Sequence, residues 1–180
     1  MNDSIIARRY AKALFKLGLE KKNLEAYTGN LKSIQQIIKQ DEDFRFLIDN
    51  PVIAASKKKS IFKSLFEGKL HDDITGFFNL LIEKGREEYL AEIIRAFIGF
   101  YQDYANIQKV EFTSAIEFDQ AFIQKIGDLL KEKTGKTSEI ETYTDQKLIG
   151  GFVLRIGDQQ LDNSVSGQLR AIKNQLSNKN

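Results

Sequence analysis

Up to about residue 105 the apolar positions recur every three to four residues, and beyond it they begin to alternate with polar ones. The first period is that of amphipathic helices and the second that of half-buried strands. Six helices are predicted over 4–20, 24–39, 42–49, 56–66, 73–84 and 87–104. Asp3 or Ser4 is the expected cap of the first, and Asp72 or Asp73 that of the fifth, because a short polar side chain accepts from the orphan amides of a first turn. Gly85 is positioned to end the fifth. The third must stop near Asn50, since Pro51 pushes its predecessor out of the helical region. After Asn106, "KVEFTSAI" (109–116) reads as a strand, 118–133 as a helix, "EIETYT" (139–144) and "GGFVLRIG" (150–157) as strands, and 165–176 as a closing helix capped by Asn163 or Ser164. Leu161 leaves room for a short fourth strand. The expected fold is α+β: an N-terminal six-helix bundle over 1–105, then a small C-terminal α/β domain over 106–180 in the order strand-helix-strand-strand-helix.

Two helices are apolar over too much of their circumference. In the first, Ile6, Ala7, Tyr10, Ala11, Ala13, Leu14, Phe15, Leu17 and Gly18 cover about 200°, where packing on one side of a bundle needs little over 100°. In the fifth, Ile74, Phe77, Phe78, Leu80, Leu81 and Ile82 cover a similar arc. Either both helices are central to the bundle, or they flank a groove open to an amphipathic partner helix. The small residues Ala7, Ala11, Ala13 and Gly18 would let a partner backbone approach closely. Periodicity does not separate the two.

Candidate chemistry is sparse. The 180 residues contain no cysteine and one histidine, His71, which excludes disulfides, thiolate sites and metal sites with two histidines. His71 sits in "KLHDD" with no nucleophile motif nearby and reads as an exposed loop residue. The acidic run Asp41, Glu42 and Asp43 opens a short helix, where negative charge suits the helix dipole. "LIGGFVLRIGDQQLDNS" (148–164) resembles neither a dinucleotide loop nor a P-loop, because Gly150 and Gly151 would begin a strand rather than follow one. Asp158 and Asp162 therefore read as turn and cap residues. No catalytic, cofactor-binding or metal-ligating residue is expected. With 27 basic and 25 acidic side chains, nothing supplies the positive excess that a phosphate backbone requires, and "SKKKS" (56–60) reads as a solvated helix face. No apolar run approaches the roughly 20 residues of a membrane span. The first residues have neither a signal-peptide core nor the Arg- and Ser-rich character of a transit peptide, so a cytoplasmic product is expected.

Four stretches in register then carry a resemblance: "ARRYAKALF", "DNPVI" followed by lysines, "LIEKGR" and "LIGGFVLRIGDQQLDNSVSGQL". Together they are similar to the δ subunit of the rotary ATP synthase, whose mitochondrial counterpart is the oligomycin-sensitivity-conferring protein. The resemblance implies a non-catalytic stator role, with no cofactor and no nucleic acid. It implies that the helical domain binds amino-terminal helices of the α subunits on the catalytic head, and that the small domain holds the b subunits of the peripheral stalk. Membrane association would then come only through the complex, at the cytoplasmic face of a bacterial inner membrane. Carried onto this chain, the α-subunit site is expected at Tyr10, Ala13, Leu14, Leu17, Phe77, Phe78 and Leu81. The stalk-side or structural motif is expected at Gly150, Gly151, Asp158, Asp162 and Ser164, the glycines for tight backbone geometry and Asp162 or Ser164 as a cap. The rival class is a soluble helical adaptor or regulatory protein that binds an amphipathic helix elsewhere. An enzyme built on a carboxylate pair is more remote.

Overall fold

The computed structural model describes residues 3–177. The chain is α+β and divides into two compact units, Met1–Tyr101 and Gln102–Asn180. In the first, α1 (Asp3–Glu20), α2 (Leu24–Gln40), α3 (Glu42–Asp49), α4 (Ala55–Phe66), α5 (Asp72–Glu83) and α6 (Leu90–Tyr104) follow one another, with a 3-10 turn at Glu87–Tyr89. All six send side chains into one core, among them Leu14, Tyr27, Leu31, Phe44, Phe62, Phe78, Leu81, Ile93 and Phe97. Asp3 and Ser4, the expected caps of α1, lie within the helix rather than ahead of it.

The connections follow from local chemistry. Asp41 caps α3 by accepting from the amide of Phe44 at 2.9 Å. α5 ends in a Schellman motif: Gly85 takes φ +60°, and the amides of Gly85 and Arg86 return to the carbonyls of Ile82 and Leu81. α1 ends the same way, with Lys22 in the left-handed position at φ +58° and Asn23 donating to the Gly18 carbonyl.

Two expectations are corrected here. His71 is not a loose loop residue but the N-cap of α5: its imidazole Nδ1 accepts from the amide of Asp73 at 3.2 Å. Asp72 and Asp73 lie inside the helix. The lysine run is not uniformly solvated either. Lys58 is buried, and its Nζ donates to the Ile48 carbonyl at 2.9 Å and to Glu87 Oε1 at 2.6 Å.

The second unit runs β1 (Ile107–Ser114), α7 (Gln120–Thr134), β2 (Thr137–Thr144), β3 (Phe152–Ile156), β4 (Gln159–Asp162), α8 (Val165–Ser177). The sheet order is β2-β1-β3-β4. β1 and β2 are parallel, joined through α7, while β1–β3 and β3–β4 are antiparallel. The fourth strand at Leu161 forms, so the order is strand-helix-strand-strand-strand-helix. Val110, Phe112 and Leu154 are buried beneath Ile123, Ile126 and Leu130 of α7. β3 begins two residues later than its glycines suggested: Gly150 and Gly151 form a bend ahead of the strand.

Candidate functional site

Two places collect the residues that the sequence singles out. The first is the side of α1 that meets α5. Four residues of α1, Ala7, Ala11, Leu14 and Gly18, point into the core. Gly18 is closed in by α2, since a Cβ there would meet Leu24 and Tyr27 at 3.0 and 3.1 Å. Ala7, Ala11 and Gly18 are therefore packing residues within the unit and not part of an open groove. At about 100° per residue, Tyr10 and Leu17 lie on the α5 side of this buried stripe, and Ala13 lies about 60° further outward. Tyr10 and Leu17 are half-buried and Ala13 is exposed.

α5 mirrors this arrangement. Phe78 and Leu81 are buried, and Phe77 is half-buried on the α1 side, meeting Tyr10 edge-to-face with centroids 6.3 Å apart. Outward of Phe77 lie Leu80, 42% exposed, and Gly76, whose missing Cβ would meet nothing within 4 Å. The seven predicted residues thus separate by burial into three groups. Tyr10, Leu17 and Phe77 are half-buried, Ala13 is exposed, and Leu14, Phe78 and Leu81 belong to the core behind them. Gly76 was not singled out by the sequence reading. A glycine beside the apolar residues Ile74, Phe77 and Leu80 is the signal that could have found it.

The α1–α5 side is held in register by a polar cluster at one end. Asp73 accepts from Lys21 Nζ at 2.5 Å and from the Tyr27 hydroxyl. Hydrogen bonding to Lys21 and then to Tyr27 holds the Asp73 carboxyl below the usual carboxylate range. Burial, reinforced by Asp73, pushes the Tyr27 phenol well above its ordinary value. His71 packs edge-on against Tyr27, its Nε2 lies 3.1 Å from Asn23 Nδ2, and its amide donates to Asn30 Oδ1 at 2.7 Å. The α1–α2 turn, α2 and the start of α5 are tied together through one carboxylate and one imidazole.

The second place is the C-terminal motif, which folds into a clasp. Gly151 has φ +72°, and a Cβ there would lie 2.2 Å from the Asn163 carbonyl oxygen. Gly150 accepts from the Val165 amide at 3.0 Å, and the Asn163 amide donates to the Phe152 carbonyl at 2.9 Å. Ser164 is fully buried. It donates through Oγ to Asp162 Oδ1 at 2.5 Å and accepts from the Gly167 amide at 3.0 Å, which makes it the cap of α8. Hydrogen bonds from the Ser164 hydroxyl and then from the Ser164 amide, the latter at 2.9 Å, hold the Asp162 carboxyl below its ordinary range. Gly167 completes the clasp, because a Cβ on it would meet the Asp162 carboxylate oxygens at 2.6 Å. Asp158 stands apart, in the two-residue turn with Gly157 between β3 and β4. Gly150, Gly151, Asp162 and Ser164 are thus brought together as backbone architecture. Gly167 escaped the sequence reading because its need for a missing Cβ comes from a residue five positions back.

Among the described residues no group of His, Cys, Asp or Glu could hold a metal ion, and no helix is long and apolar enough to cross a membrane.

Comparison with known proteins follows the same whole-chain pattern. Residues 6–176 match the family model described as ATP synthase delta (OSCP) subunit. The chain is 33% identical over 171 residues to ATP synthase subunit delta of Heliobacterium modesticaldum, covering 95% of this chain and 92% of the relative. It is 32% identical over 173 residues to that of Chloroherpeton thalassium, covering 96% and 94%. A chain in the cryo-EM structure of the Toxoplasma gondii mitochondrial ATP synthase hexamer superposes with a TM-score of 0.73 at 25% identity, covering 94% of this chain and 96% of that one.

Proposed function

The chain belongs to the ATP synthase delta (OSCP) subunit family, and from that premise we propose that it is the non-catalytic stator subunit that ties the catalytic head to the peripheral stalk. The observation that carries this reading is that the likeness runs through both units at nearly the full length of both chains. A likeness confined to one unit would have supported a shared module only. A stator joint has to resist torque while its head turns over ATP, and two compact units, each with its own surface, suit a joint with two partners.

The six helices work as a bundle that seats the head. Its site is the α1–α5 side, with Tyr10, Leu17 and Phe77 as an apolar floor and Ala13 and Gly76 as the small residues that admit a partner helix. The occupant is an amino-terminal helix of an α subunit. Leu14, Phe78 and Leu81 contribute by holding the floor from behind. The second unit takes the b subunits of the stalk, and the 150–167 clasp fixes the shape of that unit rather than touching the partner itself. The protein is peripheral, attached to the membrane only through its complex, at the cytoplasmic face of a bacterial inner membrane.

The test is a calorimetric titration of the purified chain with the amino-terminal peptide of its own α subunit. Saturable binding is expected for the wild type. Ala13→Arg, which adds bulk to an exposed position without removing a core side chain, is expected to abolish it. Equal binding by the two proteins would place the groove elsewhere. An adaptor for some other helix is the second reading, favoured only if the α-subunit peptide fails to bind while the chain stays free of ATP synthase in cell fractions.

A further inference from the structure

The second unit leaves one edge of its sheet open. β2 lies at the end of the order β2-β1-β3-β4, and its eight residues run in unbroken parallel register with β1. The amide of Thr137 donates to the Asn106 carbonyl, and that of Asp145, just past the strand, to the Ser114 carbonyl. In a parallel pair the residues of a strand turn their backbone toward the partner and away from it in alternation. Thr137, Glu139, Glu141 and Tyr143 therefore bond to β1, whereas Ser138, Ile140, Thr142 and Thr144 turn amide and carbonyl outward. Among the described residues no backbone group from outside the sheet meets that edge. Open edges are ordinarily blunted by proline, lysine, a bulge or shortness. β4, at the other end, has four residues; β2, "TSEIETYT", uses none of these devices.

Beside this edge lies a cleft of about 530 Å³, lined by Ile123, Gly127, Asp128 and Lys131 of α7 and by Ser138 and Ile140 of β2. No residue of α7 or β2 is buried. Gly127 is interior to α7, where a glycine costs stability. A Cβ on it would meet only Ile140 Cδ1, at an ordinary 3.6 Å, so packing within the chain does not demand the glycine. Charge narrows what fits the edge. Side chains alternate across a strand, so Ile140 lies on the α7 side and Glu139 and Glu141 on the opposite face. There both acids stand at the edge itself. The cations Lys109 and Arg155 stand one and two strands inward, paired with Glu141 at 2.9 Å and with Glu111 at 3.7 Å. A second copy of β2 would bring glutamates against their like, which disfavours self-pairing.

We propose that the β2 edge takes an extended segment of a partner chain as a fifth strand, with basic residues set against Glu139 and Glu141 and small apolar residues entering the α7 cleft. The inference goes beyond the stator reading and does not depend on it. Backbone hydrogen bonds supply the affinity, and the cleft and the two glutamates select the sequence. Charge complementarity makes the pairing weaker as salt rises.

The test titrates short peptides into the full ¹⁵N-labelled chain at low salt. The probe alternates lysine with valine. One control replaces lysine by glutamate, and a second keeps the probe's sequence but is N-methylated throughout, which removes its backbone donors. The probe is expected to shift resonances of β2 and α7 and to bind at least about tenfold more tightly than either control. Hydrogen exchange should slow at Ser138, Ile140, Thr142 and Thr144, the four amides that face outward. Gly127→Gln, whose side chain would fill the cleft, is expected to weaken binding by about tenfold while leaving the sheet resonances in place. Equal binding of either control, or shifts confined to the first unit, overturns the inference. So does the absence of any β2 shift at about 1 mM probe. Equal binding by wild type and Gly127→Gln rejects the cleft, and the proposal with it.

Discussion

Replacing Gly151 by alanine is the most informative single change in the second unit. The added Cβ would lie 2.2 Å from the Asn163 carbonyl oxygen, about an ångström closer than such contacts allow, so the 162–164 segment must move away. Two backbone hydrogen bonds hold that segment to the bend, Asn163 to Phe152 and Val165 to Gly150, at 2.9 and 3.0 Å. Their loss costs about 0.5–1.5 kcal/mol each. An alanine at φ +72° adds roughly 1–2 kcal/mol of steric strain. Together that is roughly 2–5 kcal/mol, against a total stability of about 4–12 kcal/mol for a unit of this size. Gly157 supplies the control. It also has positive φ, at +56°, but a Cβ there would meet nothing within 4 Å, so Gly157→Ala carries the strain alone, about 1–2 kcal/mol. Hydrogen exchange read peptide by peptide separates the two units. Gly151→Ala is expected to lose protection across β1, β3 and α8 by at least about 1 kcal/mol more than Gly157→Ala, with α1–α6 unchanged. If the two variants lose protection equally, the clasp is not what holds the unit together.

Lys22 occupies at the end of α1 the left-handed position that Gly85 occupies at the end of α5, so Lys22→Gly should stabilise the first unit by about 0.5–1 kcal/mol in urea titration. Lys58→Met should destabilise the same unit by about 3 kcal/mol, because Glu87, 13% exposed, is left largely out of water without its cation, and adding Glu87→Gln should restore much of that loss. The carboxyl of Asp162 has a depressed pKa in the folded state. Its contribution is therefore fully present above the ordinary carboxylate value of about 4 and is lost as pH falls below it. Acid unfolding of the second unit should accordingly be less steep in Asp162→Asn than in wild type over that range, and an unchanged slope would mean that the Ser164 bond contributes nothing.

The helices were legible wherever period and punctuation agreed. Pro51 stops α3 and Gly85 stops α5 for backbone reasons that act within a few residues, and Asp41 caps α3 where its neighbours announce a short helix. His71 misled because imidazole is an uncommon cap, and its role depends on Asn23, Tyr27 and Asn30, which lie more than forty positions away. Lys58 misled for a similar reason: a lysine run looks the same in sequence whether or not one member meets a buried glutamate. The over-wide arc of α1 did not show which of its small residues face inward. A helical wheel gives directions but not neighbours, so only the positions of α2 and α5 show that Gly18 faces inward while Ala13 faces out. Within the C-terminal motif, Gly150 and Gly151 were readable as backbone devices, but their place before β3 rather than in it was not. That placement is fixed by contacts with 163–165 on the far side of a hairpin.

The stator reading stands or falls most directly on coupling. Membranes carrying ATP synthase stripped of this subunit hydrolyse ATP without moving protons if the head is free to turn with the rotor, and ATP-driven acidification of the vesicles measures the connection. Adding the purified chain is expected to restore acidification in proportion to the chain bound, with Ala13→Arg restoring none at the same concentration. Saturating binding of the wild-type chain with no recovery of proton pumping would contradict the account.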